Sequence, residues 1–146
     1  MTAQIITFPD PLACPPPIET ATCALFLDLD GVLAPIVDQP DGVRPDPRRT
    51  FVLRRLAERL ERRIAIVSGR TLAEVAAITE NAVTAVAGVH GLHRRTALGE
   101  EIATLPDPDL AEAAAVFQAL ARAQPQLIVE EKGLSCLLYT SPSPRD

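Results

Sequence analysis

Asp28 and Asp30 stand two residues apart, directly behind the apolar run Ala24-Leu25-Phe26-Leu27 and ahead of Gly31-Val32-Leu33. On an extended backbone, side chains at i and i+2 point the same way. Two carboxylates placed together can divide labour. One stays ionised, binds a hard cation and attacks an electrophile; the other carries a proton. Gly31 lets the backbone turn sharply, so that amide N–H groups can face an anion. The competing reading is an ordinary Asp-Gly turn after a strand. The buried-type strand before the pair and the apolar Val32-Leu33 after it count against that reading.

Three further groups have the residue types for anion or sugar chemistry. Ser68-Gly69-Arg70 follows the apolar run Ile64-Ala65-Ile66-Val67. A hydroxyl, a flexible glycine and a guanidinium there make a phosphate grip, because the donors of arginine form a fixed fork. The alternative is a strand-to-helix turn in which Ser68 or Thr71 caps the helix. Gly88-Val89-His90-Gly91 brackets one histidine with two glycines. His90 is open to an acid/base or ligand role and equally to a hydrogen-bonded structural turn. His93 reads as polar surface. Glu130 and Lys132, the only lysine in the chain, read from spacing alone as a charged surface turn.

These groups need elements to position them. Residues 24–27, 64–67 and 85–87 read as strands. A helix between the first two presents Leu53, Leu56 and Leu60, with Val52 and Ala57 widening the face. Thr71 and Glu74 form a possible capping box for a second helix. The alternation of strand and helix predicts a parallel α/β sheet with right-handed crossovers. In an open sheet of that kind, ligands bind beyond the carboxyl ends of the strands, where the acid pair, Ser68-Gly69-Arg70 and His90 all fall. After Gly91 the pattern changes. Asp107-Pro108 starts a helix with Leu110, Ala113, Phe117 and Leu120 on its apolar face, Pro125 stops it, and two extended segments follow around a polar turn. The arginines at 48, 49, 54, 55, 59, 62 and 63 read as a solvated helix face.

The chain has 146 residues, 47% of them hydrophobic and 3% aromatic, so a globular core must be built from aliphatic side chains. A net charge of −5 argues against nucleic acid as a partner. No apolar run is long enough to span a membrane, and no basic-then-apolar leader opens the sequence. Cys14, Cys23 and Cys136 match no disulfide or zinc pattern and predict free thiols in a cytoplasmic setting.

Taken together, the motifs resemble the haloacid dehalogenase superfamily of phosphohydrolases, and within it the trehalose-6-phosphate phosphatase family. Leu27-Asp28-Leu29-Asp30-Gly31-Val32 is similar to the first superfamily signature, with Val32 where threonine is commoner. Ile66-Val67-Ser68-Gly69-Arg70 is similar to the second. Gly88-Val89-His90-Gly91-Leu92 and Glu130-Glu131-Lys132-Gly133-Leu134-Ser135 look like a loop and a cap segment of the trehalose-phosphate branch. The resemblance runs from about residue 24 to 135. It implies an α/β, parallel-sheet (Rossmannoid) core with an inserted α/β cap. It implies Asp28 as a nucleophile that becomes an aspartyl-phosphate, and Asp30 as acid and base. Mg²⁺ would be held by Asp28 and Asp30, in part through the Asp30 main-chain carbonyl. The phosphate would be bound by Gly31, Ser68, Gly69 and Arg70. Trehalose 6-phosphate would be contacted by His90, Gly91, Glu130 and Lys132. Another sugar-phosphate phosphatase or phosphomutase, or a non-catalytic phosphosugar binder, stays open beside this reading.

The family also uses a later lysine and a later Gly-Asp-Asp acid pair, and neither occurs here. The expected organisation is therefore a Pro-rich disordered tail over 1–22, the N-terminal part of the core over 23–95, a partial cap over 96–138, and a tail without fold logic over 139–146. The last stretch, with the residues from Cys136 onward, resembles translated adapter sequence. The expectation is a C-terminally truncated fragment, weakly stable and nearly inactive as written.

Overall fold

In a computed structural model, the described residues are 14, 17, 19–37 and 42–140. The expectations for 141–146 and for most of the N-terminal tail lie outside them. Residues 19–22 form a turn, in which the amides of Thr22 and Cys23 donate to Glu19 O. Arg63 fastens it, giving Nη2–H to Thr20 O at 2.6 Å and Nε–H to Cys23 O at 3.3 Å.

The expected alternation is present. Strand β1 (Leu25–Asp28) is followed by helix α1 (Pro47–Arg59), β2 (Ile64–Val67), α2 (Leu72–Thr79) and β3 (Ala85–Gly88). β1 pairs with β2 and β2 with β3, all parallel, so the three strands end on the same side. The sheet then departs from the sequence expectation. An antiparallel hairpin, β4 (His93–Arg95) and β5 (Glu101–Ala103), extends it to the order β1-β2-β3-β4-β5. β5 therefore joins the same sheet across the boundary expected at 95/96. A second unit follows: α3 (Leu110–Ala123) lies on the antiparallel pair β6 (Leu127–Glu131) and β7 (Cys136–Thr140). β7 continues past residue 138, where the terminal tail was expected to begin.

One face of the main sheet carries the core. Ile64, Ile66 and Val86 pack with Leu53 and Leu60 of the α1 region and with Leu72, Val75 and Ile78 of α2, while Leu29 and Val83 close the ends. The α1 face is narrower than its spacing implied: Leu53 and Leu60 are buried and Leu56 and Ala57 half-buried, but Val52 is exposed. Asp46 caps α1, accepting from the amides of Arg48 at 2.7 Å and Arg49 at 3.3 Å, with Pro47 in the first turn.

Arg49 is not the solvated residue that its neighbours suggested. It donates to Leu33 O at 3.4 Å, Arg44 O at 2.7 Å and Ile78 O at 2.8 Å, tying three segments around α1. α3 begins at Leu110, two residues after the predicted Pro108, because the Asp107 carboxylate caps the preceding turn through Asp109 N at 2.9 Å. It ends with Gln124 extended, as a residue before proline must be. Of its predicted apolar face, Leu110 and Phe117 are half-covered and Leu120 is exposed; the fully buried residue is Ala114.

Candidate active site

The end of β1 builds the acid pair. Leu29 is wholly buried and anchors the chain between the two aspartates. Asp28, exposed, accepts a hydrogen bond from Leu29 N–H at 2.7 Å. The backbone then folds back: Leu33 N and Ala34 N both donate to Leu29 O, and Gly31 N donates to Ala34 O at 2.7 Å. Gly31 sits at φ +85°, a conformation that L side chains disfavour. Its role is thus to close the turn. The Gly31 N–H itself is committed to Ala34 O within this turn.

Ser68-Gly69-Arg70 leaves the adjacent strand at the same end of the sheet. Arg70 joins the two motifs: its Nε–H lies 2.8 Å from Asp30 Oδ2 and its Nη2–H 2.8 Å from Asp30 Oδ1. This fork-to-carboxylate pair is the strong form of an ion pair. The Arg70 side chain is 10% exposed and that of Asp30 37%. The hydrogen bonds that Arg70 donates to Asp30 raise the guanidinium pKa, and the charges of Asp30, Glu74 and Glu130 add to this against the opposing effect of burial. Ser68 is buried, and its hydroxyl oxygen accepts from Arg70 N–H at 3.1 Å. The hydroxyl therefore does serve the turn. Its own hydrogen is left to act as a donor, since a hydroxyl has one O–H and two acceptor sites.

The histidine loop follows β3 as a tight turn with a left-handed backbone, Val89–Gly91. Val89, His90 and Gly91 take φ of +48°, +55° and +91° in succession. For a β-branched valine this is a strained conformation, costing on the order of 1–3 kcal/mol. Packing and hydrogen bonds hold it: Val89 is buried, its N–H reaches Arg70 O at 2.8 Å, and His90 N–H reaches Ser68 O at 3.2 Å. The loop is thereby laced to Ser68-Gly69-Arg70. The imidazole of His90 lies over Gly69, where a Cβ would stand 2.6 Å from the ring. Gly69 is the residue that admits His90. Gly91 meets no such crowding, and its requirement is the positive φ alone.

The β6–β7 hairpin reaches the same place. Lys132 N–H closes the turn onto Ser135 O at 2.8 Å. The Lys132 ammonium donates to Gly69 O at 2.7 Å and pairs with Glu130 Oε1 at 3.4 Å. Its side chain is 9% exposed. Glu130 also accepts from Tyr139 Oη at 2.9 Å, so a residue expected in the terminal tail touches a candidate site residue. Burial, and then the bond to Glu130, push the Tyr139 phenol up. Sequence reasoning treated Glu74 as a helix cap, and it is one. It also contributes charge to the site. Burial alone would raise its pKa, but the Thr71 hydrogen bonds, Arg70 and Lys132 outweigh it and hold the carboxyl below its ordinary value. The signal was present in the capping box, which places Glu74 one turn beyond Arg70.

A hard cation suits these donors. Mg²⁺ ordinarily takes one or two carboxylates and completes its shell with waters and substrate phosphate. Among the described residues no group of three or more His, Cys, Asp or Glu gathers to hold a metal. The oxygens at hand are the exposed carboxylate of Asp28 and those of Asp30. Arg70 holds both carboxylate oxygens of Asp30, which leaves its main-chain carbonyl as the better-suited donor.

Residues 26–141 match the family described as trehalose-phosphatase. The chain is 32% identical over 130 residues to a trehalose-6-phosphate phosphatase of Escherichia coli, covering 88% of this chain and 49% of that protein. It is 35% identical over 127 residues to a trehalose-phosphate phosphatase of Mycolicibacterium paratuberculosis, covering 84% of this chain and 32% of that protein. It thus spans half or less of these relatives' lengths. Among solved structures, the C-terminal domain of a Candida albicans trehalose-6-phosphate phosphatase superposes with a TM-score of 0.69 at 22% identity, over 82% of this chain and 43% of that one. The α/β fold class expected from the sequence is borne out. With a family match that covers most of its length, this chain belongs to the trehalose-phosphatase family.

Proposed function

We propose that the chain carries the nucleophile and phosphate-binding part of a site that hydrolyses trehalose 6-phosphate to trehalose and phosphate. One observation supports this above the others. The acid pair and Ser68-Gly69-Arg70 leave adjacent parallel strands at the same end, joined by the Asp30–Arg70 pair, with Lys132 reaching in from the hairpin.

Asp28 is the nucleophile. It is exposed at the strand end, and an ionised carboxylate needs no activation by a base. One of its oxygens bonds to phosphorus as the bond from phosphorus to the sugar oxygen breaks. Asp30 gives its proton to that sugar oxygen. In the second half Asp30 takes a proton from water, the water oxygen attacks phosphorus, and the Asp28–phosphorus bond breaks. For the first step Asp30 has to be protonated, so Arg70 must turn from it toward the phosphoryl oxygens, an anion its fork fits equally well.

The Ser68 O–H and the Gly69 amide hold the transferring group. His90, Gly91, Glu130 and Lys132 line the side on which the sugar sits. Mg²⁺, bound through Asp28 and Asp30, would neutralise charge on the phosphoryl group, which is most of what such a transfer needs. Three free cysteines fit the cytoplasmic setting that belongs to the same reading.

The test is phosphate release by a family-length protein containing this sequence, with Mg²⁺ and with chelator. Trehalose 6-phosphate is compared with other sugar phosphates. Turnover of trehalose 6-phosphate that chelator removes is the expected result. Turnover of another sugar alone would overturn the substrate, and no turnover of any would overturn the enzyme.

A further inference from the structure

Lys132 lies on the hairpin of the second unit, yet its ammonium is spent on a main-chain carbonyl of the core, Gly69 O, at 2.7 Å. That carbonyl belongs to the Gly69–Arg70 peptide. The other end of the same peptide, Arg70 N–H, donates to Ser68 Oγ at 3.1 Å. One peptide plane is therefore pinned from both ends: by a charged donor at its oxygen, and by the Ser68 hydroxyl at its nitrogen. Hydrogen bonds arranged in series polarise one another, and a peptide whose carbonyl faces a cation is a stronger donor through its N–H. With an acceptor site on Ser68 Oγ occupied by that N–H, the hydroxyl hydrogen is directed away from the loop.

We infer that Lys132 is a positioning residue for Ser68. Acting through the Gly69–Arg70 peptide, it sets the Ser68 hydroxyl as a donor, so that docking of the β6–β7 hairpin and readiness of the phosphate grip are one event. The inference rests on the reading of Ser68 as a phosphate ligand and adds a task for Lys132 beyond contact with a sugar.

Three features of the structure support it. The Lys132 side chain is nearly buried, so its partners are fixed rather than exchanged with solvent. Glu130, beside it, restrains the ammonium at 3.4 Å. Gly69 has no side chain, and a Cβ there would collide with His90. Gly69 therefore gives the peptide no side-chain anchor, and beside the contact with His90 its plane is fixed by its two hydrogen bonds.

Amide hydrogen exchange and ¹⁵N spectra of the whole chain test the inference, using Lys132→Met and Lys132→Arg. Val89 N–H, which donates to Arg70 O at 2.8 Å, is the internal control in the same loop. Loss of a hydrogen bond to a charged group predicts that Arg70 N–H exchanges roughly tenfold faster in the Met variant, while Val89 N–H keeps its protection. The Arg variant should restore Arg70 to within about twofold of the parent, since a guanidinium can also reach a carbonyl.

Unchanged exchange at Arg70 in the Met variant would overturn the inference. So would equal loss at Arg70 and Val89, which would mean that the loop had merely opened. A titration with inorganic phosphate forms a separate arm. Shifts at the Ser68 and Gly69 amides of the parent, weakened in the Met variant, are expected. Absence of those shifts alongside the predicted Arg70 result would overturn the phosphate reading of Ser68 and leave the positioning by Lys132 standing.

Discussion

Asp28 and Arg70 divide function and stability differently. Asp28 is exposed and tied to its own neighbour's amide, so Asp28→Asn removes little from the fold. Its unfolding free energy in urea should match the parent to within about 0.5 kcal/mol, while phosphate release by the family-length protein falls by on the order of a thousandfold or more, because an amide oxygen cannot serve as the nucleophile. Equal loss of stability and activity would show that Asp28 is a structural acid. Arg70→Ala removes a phosphate contact and costs stability as well. It strands the half-buried Asp30 carboxylate and empties a buried site. Full burial of both partners would cost several kcal/mol. The exposure of Asp30 reduces the expected loss to about 1–2 kcal/mol, measured by urea denaturation. The acid pair and Ser68-Gly69-Arg70 were legible in the sequence because strand ends and residue type suffice to flag them. Their joining through Arg70, and the use of Gly31 N–H within its own turn, were not. Both depend on the path of the backbone after Asp28, which no local pattern encodes.

At the scale of elements, α2 was the most legible, and its cap carries a pH prediction. Thr71 and Glu74 bond reciprocally, with Thr71 N to Glu74 Oε2 at 2.8 Å and Glu74 N to Thr71 Oγ1 at 3.3 Å. The Glu74 carboxyl is held below its ordinary value of 4.5, so its charge stabilises the fold above that pH and ceases to do so as the pH falls through the lower folded value. Glu74→Gln keeps a capping acceptor and removes the charge. The gap in urea midpoint between parent and variant should be constant from neutral pH to about 4.5 and shrink below it. A gap that widens in acid would refute the assignment. The β4–β5 hairpin was not legible, for a physical reason. His93-Arg94-Arg95 is short, polar and half-exposed, and lacks the apolar alternation that marks a strand. It becomes a strand because β3 offers it an edge, with Gly88 opposite His93 and Arg95 Nε–H donating to Thr84 O at 2.9 Å. Gly88 itself is required by packing. A Cβ there would stand 2.7 Å from Arg70 O, a backbone atom that cannot step aside. Gly88→Ala should cost about 1–3 kcal/mol by thermal or urea unfolding, and a neutral result would show that the β3 end has slack.

The whole molecule is lopsided. The helices α1 and α2 cover one face of the main sheet, where Ile64, Ile66 and Val86 lie. The opposite face presents Phe26 at 69% exposure and Val67 at 42%, and strand register sets Phe26 beside Ala65 and Ala65 beside Ala85. Alanine is too small to shield an aromatic ring, so the result is a flat apolar surface with a phenylalanine standing on it. Among the described residues β1 is also a sheet edge, paired on one side by β2. An open edge next to an apolar face invites pairing with another chain. The sequence showed the apolar strands but not which face the helices would cover, since small residues such as Ala65, Ala85 and Ala87 read equally well as interior. This chain should therefore associate as its concentration rises through the micromolar range, in sedimentation velocity or light scattering. Phe26→Lys places a charge on both the face and the edge strand. It should reduce that association severalfold while changing the unfolding free energy by no more than about 0.5 kcal/mol, because Phe26 is mostly exposed in the monomer. If Phe26→Lys instead unfolds the chain, the ring is packed and the face is closed. If it folds normally and associates as before, the contact lies elsewhere.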